Sequence, residues 1–473
     1  MKLSLKHFLW GITGLLTLIM ALRLMVEQGM FLDGLWYATI ARNMSVGLGT
    51  FWDPMLDPFF EPHFRAHPTL AFWLESLLFR MLGEGLWVER LYSGLCGVVQ
   101  AGLIIGIWRE TQGKELAATF ADSLPVMLWL MMPVVGWGFS ANMLENTLLI
   151  WILVGVYASL RWPTWGPFSI SVALTLGFLT KGPMVFFLAA WPFLSNWIGK
   201  KVPLGKAMLA SLQTLAWSGL WAVMLVNWPS AWAFMQAYWQ VQILGSLAQE
   251  ATSFWAHLWI IDDTFSELIP LILLAGGLFV YHNRKKSWVP PTAGQRAWIK
   301  AFLALAVLAL LPFTLSSKAR HFYLLPALPF FSLATAHFLL PVLKKILPQH
   351  PPRAWWIGLG VLVLGTSIWV GFRWGAVSRP GDGLTTVQAL GPQIPARSAV
   401  GYVGNFGGNQ SMVAYFYRYY YISLNEKQPT QGFIICAQGE DLPPEMMLVY
   451  RLLDTHEGVR LYQEKTATSS ETP

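Results

Sequence analysis

Apolar runs of roughly twenty residues recur from near the N-terminus to about residue 373, and each is long enough to cross a bilayer as a helix. About eleven are read, at 8–26, 86–108, 116–135, 142–160, 166–180, 183–198, 207–228, 265–281, 299–316, 321–341 and 355–373. Segments this long and continuous do not alternate as the strands of an outer-membrane barrel do. They are too many for a soluble body on one anchor. The charged fraction is 12%, against about 25% in an ordinary soluble domain. So few charges cannot cover a soluble surface of this size, which excludes a soluble enzyme, a disordered chain and a disulfide scaffold. The expected fold class is an α-helical polytopic membrane protein, with about eleven transmembrane helices and at most about thirteen. The fifth and sixth runs are short and could form one re-entrant pair. The first resembles a secretory signal, with Lys2 and Lys6 ahead of it, but no small-x-small cleavage site follows. It is read as a retained helix.

The loops then orient the spans. With the N-terminus inside, the cytoplasmic connections carry Arg109 and Lys114, then Arg161, then Lys200, Lys201 and Lys206. Next come Arg284, Lys285 and Lys286, and last Lys344, Lys345 and Arg353. Every inner connection is basic, as the positive-inside bias requires. The net charge of +7 is therefore loop charge and no sign of nucleic acid. A transmembrane body is expected over 1–374, with a long first outer loop at 27–85 and another at 229–264. After residue 374 the composition changes to Gly/Pro turns and strand-like runs at 398–403, 432–436 and 447–452. A small α/β domain outside the membrane is expected over 375–473, with a disordered end from Thr466. Cys96 and Cys436 form no framework, no Cys/His spacing suggests a metal, and no internal repeat of a transporter type is visible.

Ionisable groups near the outer helix ends are functional candidates, because lipid makes them costly. Asp33 follows the first span and could equally be a helix N-cap. Arg65 and His67 precede Pro68 at a helix start, where a phosphate or plain solvent could face them. Glu145 opens the fourth span, where an acid also complements the helix dipole. Lys181 is a lone outer cation between spans five and six, with headgroup anchoring as the alternative. Lys318, Arg320 and His321 crowd the outer start of span ten, a grouping suited to a phosphate or pyrophosphate. Carboxylates and cations on one face supply a base for a hydroxyl and a sink for a departing phosphate.

These pieces resemble the GT-C class of membrane glycosyltransferases, in the branch of the bacterial aminoarabinose transferases and protein O-mannosyltransferases. The resemblance covers about residues 8–345. It rests on Asp33 with Tyr37 and Arg42, on His67-Pro68-Thr69-Leu70 with Trp73, and on Glu145 before Leu148. It rests also on Leu179-Thr180-Lys181-Gly182-Pro183 and on Lys318 with Tyr323, Pro326 and Pro329. The family often has Asp-Glu where this chain has Asp33-Gly34, and Lys-Pro-Pro where it has His67-Pro68-Thr69. The resemblance implies a monosaccharide donor linked to undecaprenyl phosphate and a glycolipid, lipopolysaccharide or protein acceptor. It implies work at the periplasmic face of a bacterial inner membrane. Asp33 and Glu145 would be the catalytic acids. Arg65, His67, Lys181, Lys318, Arg320, His321 and Tyr323 would hold the donor phosphate, with Tyr37 and Arg42 nearby. No motif demands a cofactor, and a divalent cation is left open. The rival class is a transporter or flippase of polyprenyl-linked glycans, which should carry polar groups near mid-membrane. A non-catalytic envelope assembly protein is a third class.

Overall fold

The computed structural model describes residues 4–112, 120–245, 254–314, 320–405, 407–426 and 432–465. The chain divides into two compact units. One comprises Met1–Glu27, Arg65–Ala71 and Arg90–Ala376; the other comprises Gln28–Phe64, Phe72–Glu89 and Val377–Pro473.

The first unit is helical. Among the described residues, eight helical segments are long and apolar enough to cross a membrane. They are Leu5–Met25, Val88–Gln112, Leu144–Arg161, Pro163–Gly199, Leu204–Val226, Trp259–Arg284, Ala293–Phe313 and Arg353–Phe372. Many of their outward side chains, Leu209, Leu273, Ile357 and Val361 among them, are exposed apolar groups that only lipid solvates well. The protein is therefore a multi-pass membrane protein. Pro163–Gly199 combines the fifth and sixth expected runs, yet it is not one straight helix. The rings of Phe178 and Phe186 stack at 5.7 Å. Eight residues along a straight helix would separate them by about 12 Å. The chain turns back at Gly182, whose φ of 72° favours glycine.

Three expected spans differ from their sequence reading. The run at 116–135 contains two short helices, Leu124–Leu130 and Pro133–Ser140, because Pro133 cannot continue the first and opens the second. Gly136 on the second meets the backbone of the first span: a Cβ there would lie 1.7 Å from the Met20 carbonyl oxygen. The run at 321–341 begins as a 3-10 turn, His321–Leu324, and becomes α-helix only at Leu328–Ile346. The run at 265–281 starts earlier than expected, within a helix spanning Phe254–Arg284.

The second unit holds a five-stranded sheet. Its strands are β1 (Ala399–Val403), β2 (Ser423–Asn425), β3 (Phe433–Cys436), β4 (Tyr450–His456) and β5 (Val459–Glu464). The order is β2-β1-β3-β5-β4. β1 runs parallel to both β2 and β3, with the helix Gln410–Tyr420 as the crossover from β1 to β2. β5 is antiparallel to β3 and β4. Glu457 and Gly458 both have positive φ, the two-residue turn that suits a twisted hairpin. The expected strand at 447–452 starts at Tyr450 instead, because Pro443 and Pro444 lead a helical turn through Met447. Leu384, Val387, Val400, Tyr415, Phe416, Ile435 and Leu461 form the core, joined by Met30 and Leu35 from the first-loop region.

Candidate functional site

The turn at Gly182 explains how the first unit gathers charge. Lys181 is the last residue of the helix Gly166–Lys181, and Glu145 lies in the first turn of Leu144–Arg161. The Lys181 ammonium donates to Glu145 Oε1. Glu145 is 1% exposed and Lys181 5%, so neither charge is neutralised by water. The ammonium lies 4.5 Å from the Tyr323 ring centroid and 5.5 Å from that of Phe322. Tyr323 is itself stacked on Phe313 at 4.9 Å. A carboxylate and two aromatic faces thus meet one cation, an arrangement that desolvation strengthens. The Tyr238 hydroxyl also approaches; a Cβ at Gly182 would lie 2.0 Å from it.

Neighbouring residues of the Glu145 motif hold its helix in place. Asn146 Nδ2 donates to Ser93 Oγ at 3.1 Å and to the Gly138 carbonyl at 2.8 Å. Gln100 Nε2 donates to the Asn146 carbonyl at 2.6 Å. The Tyr92 and Thr147 hydroxyls are 2.7 Å apart.

His67 belongs to the same unit and feels the Lys181 charge. Burial first, and then that ammonium, push its imidazole down to about 3. The ring is neutral near pH 7, so it offers a phosphate a hydrogen bond and no charge. Arg65 is half-buried, with its guanidinium 5.2 Å from the Phe234 ring. Arg320 is exposed at the start of the 3-10 turn. Lys318 lies outside the described residues.

His321, expected as one of three crowded phosphate-facing cations, instead has acidic partners. Its Nε2 lies 2.9 Å from Glu267 Oε1, and its Nδ1 lies 3.6 Å from Asp263 Oδ1. Glu267 Oε2 accepts the Val134 amide at 3.0 Å, in the first turn of Pro133–Ser140. One carboxylate therefore links three segments. Sequence reasoning missed Asp263 and Glu267. The available signal was their i, i+4 spacing, which puts two acids on one helix face at the start of an apolar run.

Asp33, Tyr37 and Arg42 lie in the second unit, on the helix Leu32–Ser45. The N-cap of that helix is Phe31, and Asp33 is its second residue, so Asp33 is not the cap. Tyr37 is buried, 5.5 Å from Phe72 between ring centroids. Arg42 is fully buried. It donates to the carbonyls of Tyr417 at 3.0 Å and Arg418 at 2.9 Å, and to Asn43 Oδ1 at 2.9 Å. Burial, and next the charge of Arg418, lower its guanidinium to about 10, so it remains cationic at neutral pH. Arg418 pairs with Glu89 at 2.9 Å, another buried pair the sequence did not reveal. Both cysteines are buried and unbridged. Among the described residues, no group of three or more His, Cys, Asp or Glu could hold a metal ion.

Comparison with solved structures identifies the fold. ArnT from Cupriavidus metallidurans, bound to undecaprenyl phosphate, is similar with a TM-score of 0.58 over 96% of this chain and 98% of that one, at 13% identity. The same protein in its apo state gives 0.57 at 12% identity, with 96% of each chain covered. The chain has the ArnT fold. At this identity the likeness extends to the fold alone. No family model matches the chain, and no curated protein sequence matches it.

Proposed function

We propose that the chain is a glycosyltransferase that takes a monosaccharide from undecaprenyl phosphate and passes it to an envelope glycolipid, lipopolysaccharide or protein. The observation that carries this reading is the buried Glu145–Lys181 pair beneath Tyr323, in a fold shared with a protein solved with undecaprenyl phosphate bound. The work takes place at the periplasmic face of a bacterial inner membrane. Residues 1–374 form the transmembrane catalytic body and 375–473 the domain outside the membrane.

In the proposed reaction, an acceptor hydroxyl attacks the anomeric carbon. The bond from that carbon to the phosphate oxygen breaks, and its electron pair leaves with the phosphate. In-line displacement inverts the centre. On the sequence resemblance, Asp33 takes the hydroxyl proton. Lys181, with Arg65, Arg320 and Lys318, takes up the phosphate charge. Glu145 holds Lys181 in position until the phosphate arrives as a second anion. Neutral His67 donates a hydrogen bond. His321, already flanked by Asp263 and Glu267, fixes the turn that carries Tyr323.

The test uses purified protein in liposomes with an undecaprenyl-phosphate-linked sugar. Undecaprenyl phosphate should be released only when acceptor is present, with a product one monosaccharide heavier. Passage of the intact lipid-linked sugar across the bilayer, without release, would establish the transporter class instead.

A further inference from the structure

We propose that the second unit carries a binding site for an acidic saccharide, in a groove walled by Val46, Leu48, Phe59, Arg397, Tyr417 and Tyr421. The site does not depend on the transfer reaction proposed above.

Backbone conformation first singles out this groove. Arg397 has φ 63° and Tyr421 φ 57°. Side chains with a Cβ rarely occupy this left-handed region, and bulky ones less than most. Tyr421 terminates the helix Gln410–Tyr420 at the position glycine usually fills. Two such residues line one groove, so their side chains outweigh the backbone penalty there.

The second observation is a preformed aromatic platform. The Arg42 guanidinium carbon lies 3.6 Å from the centroid of the Tyr421 ring, and Arg42 is immobilised by its three hydrogen bonds. The Tyr421 hydroxyl donates to the Glu84 carboxylate. The ring is thus held at its face and at its edge before any ligand arrives. Rigid aromatic rings of this kind suit the apolar C–H faces of a sugar.

Charge supplies the third. Arg397 is exposed, 5.5 Å from the Tyr421 centroid, and forms no ion pair among the described residues. A guanidinium presents paired donors that match a carboxylate or phosphate. Val46, Leu48 and Phe59 remain exposed at 40%, 38% and 51%, which leaves apolar surface for a ligand to cover. The cavity of about 320 Å³ is at the small end of ligand sites, the size for a sugar unit or two rather than a long chain. Apolar faces, a fixed ring and an unpaired cation together select a sugar that bears a negative charge.

The full-length protein in detergent, titrated with glucose 6-phosphate, glucose and inorganic phosphate and followed by calorimetry, provides the test. Glucose 6-phosphate should bind, glucose and inorganic phosphate at least about tenfold more weakly each. Arg397→Gln should weaken glucose 6-phosphate by about tenfold or more, the loss of one charge-assisted contact. Arg397→Gly removes the strained Cβ as well as the cation. It should bind no better than Arg397→Gln, yet melt at the same or a higher temperature. Tyr421→Gly should weaken glucose and glucose 6-phosphate alike. Equal binding of glucose 6-phosphate by wild type and Arg397→Gln would overturn the proposal. So would inorganic phosphate binding as tightly as the sugar phosphate, which would make the site an anion contact only. Displacement of the sugar phosphate by phosphatidylglycerol micelles at lower concentration than by glucuronic acid would overturn it in favour of a lipid contact.

Discussion

Lys181→Met leaves the Glu145 carboxylate, 1% exposed, without its ammonium. Removing one member of a buried pair costs about 3–5 kcal/mol, whereas replacing both with neutral residues of similar volume is often close to neutral. Lys181→Met should therefore cost about 3–5 kcal/mol. It also removes the contact with the Tyr323 ring at 4.5 Å, worth about 1–2 kcal/mol when desolvated. Glu145→Gln should cost less, about 2–3 kcal/mol, because the amide oxygen still accepts from the ammonium. The double variant should recover to within about 1–2 kcal/mol of wild type, a coupling of about 3–7 kcal/mol in the mutant cycle. Reversible unfolding in mixed detergent–lipid micelles measures stability, and transfer per folded molecule is scored beside it. If Lys181 also serves the donor phosphate, the double variant folds but does not turn over. Additive losses, with coupling under about 0.5 kcal/mol, would refute the pair. A stable double variant with normal transfer would make the pair structural only.

Other expectations follow from single residues. Asp33→Asn should fold normally, because Phe31 is the cap, and should lower transfer by at least about 100-fold; near-normal transfer by purified protein would remove Asp33 as the base. Arg320→Ala or Lys318→Ala should weaken donor use by roughly 10- to 150-fold whichever sugar is carried; a normal donor dependence per inserted molecule would leave both as interfacial anchors. The His67 ring is held near 3, well below its unfolded value of about 6.5. Unfolding then takes up a proton between those values, so stability falls as pH drops from about 6.5 toward 3. His67→Gln should flatten that fall in a melting series, and an unchanged slope would contradict the assignment. Reporter fusions should place residue 27 and the C-terminus outside and residues 284–286 inside; a cytoplasmic C-terminal reporter would break the span order.

Long-range order was the most legible level of this chain. Apolar length marked nearly every crossing, because lipid demands a continuous run with internally satisfied backbone. Even the hairpin at Gly182 was visible, as two short runs split by Gly-Pro. Less legible were elements whose limits depend on local chemistry. Pro133 divides one run into two helices, and Pro443-Pro444 displaces the fourth strand. The short strand β2 has only three residues, too few for a period-2 pattern.

The candidate site shows the same division. Glu145 and Lys181 were each identifiable as polar groups where lipid makes them costly, but their pairing across 36 positions required the fold. His321 looked like a spare cation because its partners, Asp263 and Glu267, come from a distant helix. Arg42 looked like part of a site because it follows Asp33 and Tyr37 in the motif. Its guanidinium is instead bonded to backbone carbonyls, a role that no side-chain pattern reports.

The most direct test of the glycosyltransferase reading is mass spectrometry of envelope glycolipids and polyprenyl lipids from cells with and without the gene. Loss of the gene should remove one monosaccharide from a single envelope species, while the undecaprenyl-phosphate-linked form of that sugar accumulates. A gene copy encoding the Glu145→Gln/Lys181→Met protein should leave both changes in place. Identical glycolipid and polyprenyl profiles with and without the gene would contradict the proposed function.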